Sequence, residues 1–183
     1  MPRLTYTSLA SLDGYIADAN GNFDWAEPDD EVHAFVNDLD RSVGTYLLGR
    51  RMYEVLAVWD TIQDERPAIA DFAEIWRSTD KVVYSSTLES VSTERTRLER
   101  TFDPDAVAAM KASADRDLWI GGPTLAAPAI AAGLVDEWNL FLSPVVVGGG
   151  TSAFPAGTSV ELTLEEDRRF SNGTVYLRYR TGR

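Results

Sequence analysis

Strand-like and helix-like patterns alternate along most of this 183-residue chain, and that alternation constrains its fold more than any other feature. Short apolar runs at residues 44–49, 80–86 and 117–122 are separated by stretches with apolar residues at helical spacing. Parallel strands need long crossover connections, and helices usually supply them. The alternation therefore predicts an α/β fold with a mainly parallel central sheet, covered by helices on both faces in three α/β/α layers.

The same patterns predict the individual elements. We expect strands over residues 3–10, 44–49, 80–86, 117–122 and 136–150, and helices over residues 29–42, 50–59, 67–79, 103–115 and 123–133. Near the C-terminus, two strand-like segments flank Ser171-Asn172-Gly173, which predicts an antiparallel hairpin. No repeat or linker interrupts the pattern, so we expect one domain over residues 1–183.

Composition excludes several classes of function. The chain has no cysteine, which rules out disulfides, thiolate metal sites and cysteine nucleophiles, and its single histidine, His33, cannot form a histidine-rich metal site. The net charge of −12 argues against binding to nucleic acid or anionic membranes. Since there is also neither an 18-residue apolar run nor an N-terminal signal pattern, we expect a cytoplasmic protein. The missing thiolates and clustered histidines lead us to expect no metal.

Ligands of mainly parallel sheets bind at the carboxyl ends of the strands, so the turns there are candidate sites. Gly49 ends a predicted strand, and Arg50 and Arg51 open the next helix, where two arginines could bind phosphate or simply be solvated. The segment is not a Walker A loop, because Arg50 and Arg51 stand where that motif needs lysine and a hydroxyl residue.

Two further turns can likewise be interpreted either as phosphate-binding sites or as purely structural features. Ser85 and Ser86 follow a strand and could bind phosphate oxygens or cap the next segment. Gly121 and Gly122 follow another strand and could form a tight turn or a backbone cradle for a phosphate. The glycines at 148–150 fit a dinucleotide fingerprint only loosely, since no long helix follows them, so we interpret them as a loop that ends a strand.

A long loop over residues 11–30 contains five aspartates and Trp25. Long ordered loops often form lids over binding sites. An acid in this loop could donate a proton to a bound substrate, or could serve only to cap the helix that follows.

Taken together and in this order, the motifs resemble the dihydrofolate reductase-like superfamily. The resemblance is greatest to the C-terminal reductase domain of the bifunctional riboflavin-biosynthesis deaminase–reductase, and it covers nearly the whole chain. The zinc-binding histidine and cysteine set of the deaminase is absent, so the resemblance implies a stand-alone reductase-like domain. The segments that carry it are residues 11–17, 21–25, 47–54, 81–86, 118–125 and 140–154.

The resemblance implies that NADPH lies across the carboxyl edge of the sheet. Ile16, Ala17 and Trp25 match the nicotinamide side, and Ser143 and Asp13 match the substrate side. The residues that match the phosphate-binding segments are Gly49, Arg50, Arg51, Ser85, Ser86, Gly121, Gly122, Thr124 and Leu125. A site with two arginines also favours NADPH over NADH on grounds of charge.

Folate reductases place one acid soon after the tryptophan of this loop. Asp29, Asp30 and Glu31 all lie near that position, and we choose Asp30 as the catalytic acid because it stands two residues after Pro28. Pro123 replaces a glycine that is common in folate reductases, which favours the riboflavin-type branch. The chain has no clear basic pair for a substrate ribose phosphate, which leaves open an unphosphorylated substrate.

The resemblance therefore implies an NADPH-dependent reductase that transfers a hydride to a C=N or C=O carbon of a pteridine- or ribosylaminopyrimidine-like substrate. A dihydrofolate reductase is the alternative within the same class, and a non-catalytic NADPH-binding or regulatory module is the alternative outside it. The family resemblance also leads us to expect a homodimer that binds a small molecule, while the net charge and the lack of a long apolar run lead us to expect neither a nucleic-acid nor a membrane partner.

Overall fold

The computed structural model describes residues 1–182. The ten strands within this range are β1 (Leu4–Ser11), β2 (Tyr15–Ala17), β3 (Val43–Gly49), β4 (Asp80–Tyr84), β5 (Thr96–Glu99), β6 (Asp117–Ile120), β7 (Glu137–Ser143), β8 (Thr151–Ser152), β9 (Leu162–Arg169) and β10 (Val175–Thr181). The five α-helices are α1 (Asp30–Asp40), α2 (Arg50–Leu56), α3 (Pro67–Ser78), α4 (Pro104–Ser113) and α5 (Pro123–Ala131). Short 3₁₀ helices cover Asp24–Ala26 and Ala57–Asp60.

Eight strands form one sheet in the order β5-β4-β3-β6-β1-β7-β10-β9. The first six are parallel, and β10 runs antiparallel to both β7 and β9. The predicted α/β class, the mainly parallel sheet and the antiparallel C-terminal hairpin are therefore confirmed.

Helices cover both faces of this sheet because alternate strand residues point to opposite sides. On one face, Leu47, Leu118 and Ile120 belong to a core that α4 and α5 complete. On the other face, α2 and α3 pack over β3 and β4, while α1 packs over β7 and β10 through Val32 and Phe141. The three-layer arrangement follows from these two cores.

The helix termini are where capping residues predict them. Asp103 caps α4, since its carboxylate accepts a hydrogen bond of 3.0 Å from the Asp105 amide. Gly133, with a φ of +67°, ends the turn after α5. The helix predicted over residues 50–59 is shorter than expected, because α2 ends at Leu56 and a 3₁₀ turn follows.

The structure corrects one predicted strand and adds an edge strand and a small two-stranded sheet. The strand predicted over residues 136–150 ends at Ser143, where its partner β1 also ends and where Pro144 has no amide to donate. The edge strand β5 was not predicted, because it is short and charged at alternate positions. The small sheet formed by β2 and β8 within two loops was not predicted either.

The carboxyl edge of the parallel strands is stepped. Ile120, the last residue of β6, pairs with Tyr6 in the middle of β1, whereas β1 continues five residues further to Ser11, which pairs with Ser143. At about 3.3 Å per residue, β1 and β7 rise roughly 16 Å above the end of β6. Since β3 also continues past the Leu47–Ile120 pair to Gly49, the turn after β6 lies at the bottom of a notch.

Candidate functional site

The notch ends on an open helix N-terminus. Gly122 precedes α5 with a φ of +82°, and no side chain caps the helix there. A Cβ at Gly122 would meet no atom within 4 Å, so space above it is open. Pro123 has no amide hydrogen, and Ala126 already bonds the Gly122 carbonyl at 3.0 Å. The uncapped first turn, with the amides of Thr124 and Leu125, presents the partial positive charge that attracts anions.

The two glycines at this turn are required for different reasons. A Cβ at Gly121 would lie 2.1 Å from the ring of Trp119, so Gly121 is required by packing inside the protein. Gly122 adopts a left-handed conformation and faces open space. Packing against Trp119 therefore explains Gly121, whereas Gly122 combines the positive φ of a turn with the open space of a cradle.

Arginines stand beside the notch at the end of β3. Arg50 donates to Glu54 at 2.7 Å and to the Thr87 hydroxyl at 3.0 Å, which joins α2 to the loop after β4. Arg51 is exposed, and within residues 1–182 neither a hydrogen bond nor an ion pair holds its guanidinium. Thus one arginine is positioned by its neighbours and the other is available to a ligand.

The two predicted serines are placed differently. Ser85 is buried, and its hydroxyl accepts hydrogen bonds from the amides of Thr87 and Leu88 at 3.3 and 3.0 Å, so it shapes the turn. Ser86 is exposed on the same turn. Thr87, which contacts Arg50, was missed in the sequence, although the run of three hydroxyl residues at 85–87 was a signal for it.

The loop over residues 11–30 is held against the glycine-rich loop. β2 pairs with β8 and thereby positions Ile16 and Ala17, and a Cβ at Gly150 would meet the Ala17 carbonyl oxygen at 2.0 Å. The Asp13 carboxylate accepts hydrogen bonds from the Val147 and Gly148 amides at 3.1 and 2.8 Å. The Ser11 hydroxyl, together with these amides, lowers the pKa of Asp13. Asp13 therefore connects the two loops.

A cavity of about 180 Å³ lies against the raised β1–β7 wall, next to the loop that carries Trp25. Trp25 and Ser143, both predicted site residues, are part of its lining. The indole Nε1 of Trp25 is buried and has no hydrogen-bond acceptor. The remaining lining residues are Leu9, Ala26, Glu27, Pro28, Val32, Phe141, Pro144, Asn172 and Thr174.

The acidic residues near the start of α1 differ in the contacts that they make. Asp29 caps the helix by accepting from the Val32 amide at 3.0 Å, and Glu31 accepts from the Ser171 amide and hydroxyl at 3.0 and 2.6 Å. The Ser171 contacts lower the pKa of Glu31. Asp30 is exposed and does not line the cavity, whereas Glu27 does. Sequence reasoning missed Glu27, which lies two residues after Trp25.

Other kinds of site find no support within residues 1–182. No group of three or more histidine, aspartate or glutamate side chains is placed to hold a metal ion. None of the described helices has the length and apolar character needed to cross a membrane.

Comparison with known proteins gives one family. The model of the RibD C-terminal domain matches residues 2–176. The chain is also 28% identical over 181 residues to the uncharacterized protein YyaP of Bacillus subtilis strain 168, and the match covers 97% of this chain and 94% of YyaP. The match therefore extends over nearly all of both proteins.

Solved structures share the fold at low sequence identity. A diaminohydroxyphosphoribosylaminopyrimidine deaminase/5-amino-6-(5-phosphoribosylamino)uracil reductase from Thermotoga maritima superposes with a TM-score of 0.68 at 15% identity, over 99% of this chain and 57% of that one. Dihydrofolate reductase from Enterococcus faecalis, complexed with NADP(H), superposes with a TM-score of 0.67 at 14% identity, over 99% and 97% of the two chains. The dihydrofolate reductase-like architecture expected for the chain is thereby confirmed.

Proposed function

The chain belongs to the RibD C-terminal domain family, and on that basis we propose that it is an NADPH-dependent reductase of a pteridine- or ribosylaminopyrimidine-like substrate. One observation carries the proposal: an uncapped helix N-terminus and exposed arginines lie at one half of the carboxyl edge, and an aromatic-walled cavity lies at the other. A reductase of this kind needs two adjoining sites, one for a charged cofactor and one for a ring.

The notch residues fit the phosphates of NADPH. The first turn of α5 offers uncapped amides to a pyrophosphate, and the open space at Gly122 lets a bulky group approach the backbone. Arg51 is free to bind the adenosine 2′-phosphate, and Arg50 stands beside it on the same helix. We propose that Ser86 and Thr87 add hydroxyl groups to this end of the site.

The loop between β1 and α1 would enclose the reacting rings. NADPH, when bound, supplies a hydride from its nicotinamide C4. A C=N or C=O group that accepts this hydride at carbon also takes one proton at nitrogen or oxygen. Ile16, Ala17 and Trp25 would orient the rings and exclude water, since the β2–β8 pairing fixes this segment over the edge.

Two carboxylates are the candidates for delivering the proton. Asp30 stays our prediction from the sequence, and Glu27 is a second candidate because it lines the cavity. Asp29 and Glu31 are occupied by the Val32 amide and by Ser171. Comparing kcat for Asp30→Asn and Glu27→Gln separates the two, since loss of the proton donor costs about 10²- to 10⁴-fold.

The proposal is tested by calorimetric titration of the protein with NADPH, followed by an NADPH oxidation screen over ribosylaminopyrimidines, pterins and dihydrofolate. We expect NADPH to bind with a micromolar or lower Kd and to be oxidised with at least one of these compounds. Failure to bind NADPH would remove the proposal. Turnover of dihydrofolate alone would make the protein a dihydrofolate reductase, and binding without any oxidation would favour a regulatory module.

A further inference from the structure

The cavity at the β1–β7 wall lacks the charge needed to bind a phosphate. Within residues 1–182, its lining includes neither lysine nor arginine, and the single charged side chain on it is the carboxylate of Glu27. A phosphomonoester has a charge of about −1.5 to −2 near neutral pH. The lining therefore offers such a group no attraction, and the exposed carboxylate of Glu27 repels it.

The arginines that approach this region are already occupied. Arg66 donates to Asp64 at 2.8 Å, in an ion pair within its own loop. Arg168 lies 3.8 Å from Glu31, and its guanidinium covers the rings of Phe35 and Phe170 at 4.8 and 4.9 Å. A phosphate in the cavity would therefore have to break existing contacts before either cation could reach it.

The groups that do line the cavity suit an uncharged, flat molecule. Leu9, Val32 and Phe141 supply an apolar surface. Trp25 also lines the cavity and adds an aromatic side chain to it. The hydroxyl of the buried residue Ser143 adds a group that can donate or accept.

The volume of the cavity also favours an unphosphorylated ligand. The volume of about 180 Å³ is below the usual range of roughly 300–1,000 Å³ for small-molecule sites, so it accommodates a ring system more readily than a ring system with a ribose phosphate. The basic groups that could hold phosphate lie at the notch, in the half of the edge that we assign to NADPH.

We infer that the substrate, in the reductase function proposed above, is an unphosphorylated nitrogen heterocycle. The inference rests on that proposed function for its assignment of the cavity to the substrate. It separates this chain from an enzyme whose substrate has a ribose phosphate.

A matched pair of compounds tests the inference. The probes are 5-amino-6-(5-phosphoribosylamino)uracil and the same molecule without its phosphate, titrated calorimetrically into the full chain with and without saturating NADPH. We expect the dephosphorylated compound to bind at least about tenfold more tightly, because only the phosphorylated one places a charged group near Glu27. Equal or tighter binding of the phosphorylated compound would overturn the inference, and so would failure of both to bind.

A variant provides a second measurement. Asn172→Lys adds a cation at the rim of the cavity, and we expect it to reduce the preference for the dephosphorylated compound by about tenfold. Ala109→Lys, on the exposed surface of α4, makes the same change in net charge and should leave the preference unaltered. An unchanged preference in the folded Asn172→Lys protein would contradict the inference.

The outcomes for the two proposals are independent. If NADPH does not bind but the dephosphorylated probe binds preferentially, the reductase proposal fails and the assignment of the cavity to an unphosphorylated ring stands. If NADPH binds and is oxidised with the phosphorylated probe as the preferred substrate, the reductase proposal stands and the inference about phosphate fails.

Discussion

The two ends of the parallel strands use charged and polar groups in opposite ways. At the amino end, the Lys81 ammonium donates to the carbonyls of Trp76 and Thr79 at 2.7 and 2.8 Å, and Asp40 accepts from the Tyr46 hydroxyl at 2.9 Å. At the carboxyl end, Arg51 has no partner within residues 1–182 and the indole of Trp25 has no acceptor. Lys81 and Asp40 are thus bonded internally, whereas Arg51 at the other end is left for a ligand.

The comparison shows where stability and function are separated in this fold. Buried polar groups cost free energy unless they are paired, so the internal bonds at the amino end offset part of the cost of burying Lys81 and Asp40. The unpaired groups of the carboxyl end contribute nothing comparable to folding, and a ligand is the partner that would satisfy them. Substitutions at the two ends should therefore change different measurements.

Asp40 should give the largest effect. Its burial raises its pKa to about 7, so the folded chain holds a proton there that the unfolded chain releases near pH 4. Stability should therefore fall as pH rises from about 4 to about 7, and change no further above that range. The loss in the free energy of unfolding reaches about 4 kcal/mol at pH 7 and above, and Asp40→Asn should remove this loss.

Urea unfolding of the wild type and of Asp40→Asn at pH 4 to 8 measures this difference. The free energy of unfolding of the variant, relative to the wild type, should increase across that interval. Asp38→Asn, on the exposed side of the same helix, is the control and should show no such trend. Parallel curves for Asp40→Asn and the wild type would show that folding does not raise the pKa of Asp40.

Lys81→Met should lower the free energy of unfolding by about 3 kcal/mol. The substitution retains the apolar stem but leaves the carbonyls of Trp76 and Thr79 without the donor that satisfies them. NADPH affinity should stay unchanged, because Lys81 lies at the amino end of β4. Thermal unfolding and NADPH titration of this variant measure the two effects, and Arg77→Met at an exposed position is the control. A loss of NADPH binding without a loss of stability would contradict the assignment of stability to the amino end and ligand binding to the carboxyl end.

Replacing Arg50 and Arg51 together should have the opposite effect: NADPH binding should weaken while stability is retained. We expect Arg50→Ala/Arg51→Ala to weaken NADPH binding about 100-fold, which is about 2.7 kcal/mol, since the phosphate loses its contact with Arg51 and the neighbouring charge of Arg50. NADH binding and the melting temperature should change little. The control Arg77→Ala/Arg169→Ala removes the same charge from exposed positions elsewhere. Equal weakening of NADPH and NADH would contradict the assignment to the 2′-phosphate.

The amino acid sequence predicts this fold well because strand–helix alternation is a local signal with a global consequence. It predicts the turns of the carboxyl edge for the same reason, since each follows a recognisable strand. The stepped height of that edge was beyond prediction, because it depends on the register between β1 and β6, which no local pattern encodes. The contact of Asp13 with residues 147 and 148 depends likewise on two loops meeting across about 135 residues of chain.

The smallest effect we expect is that of Asp13→Asn, at the carboxyl end. Asn keeps one acceptor oxygen but loses the charge that strengthens the bonds from the Val147 and Gly148 amides, so hydrogen exchange at these two amides should accelerate. The pKa of Asp13 is lowered, so its contribution in the wild type is present above the usual aspartate range and is lost only as pH falls through the lower folded-state value. Asp24→Asn, in the same loop, should leave both amides unchanged. If exchange is unaltered in Asp13→Asn, the carboxylate does not hold the glycine-rich loop, and it becomes available to the substrate role that the sequence first suggested.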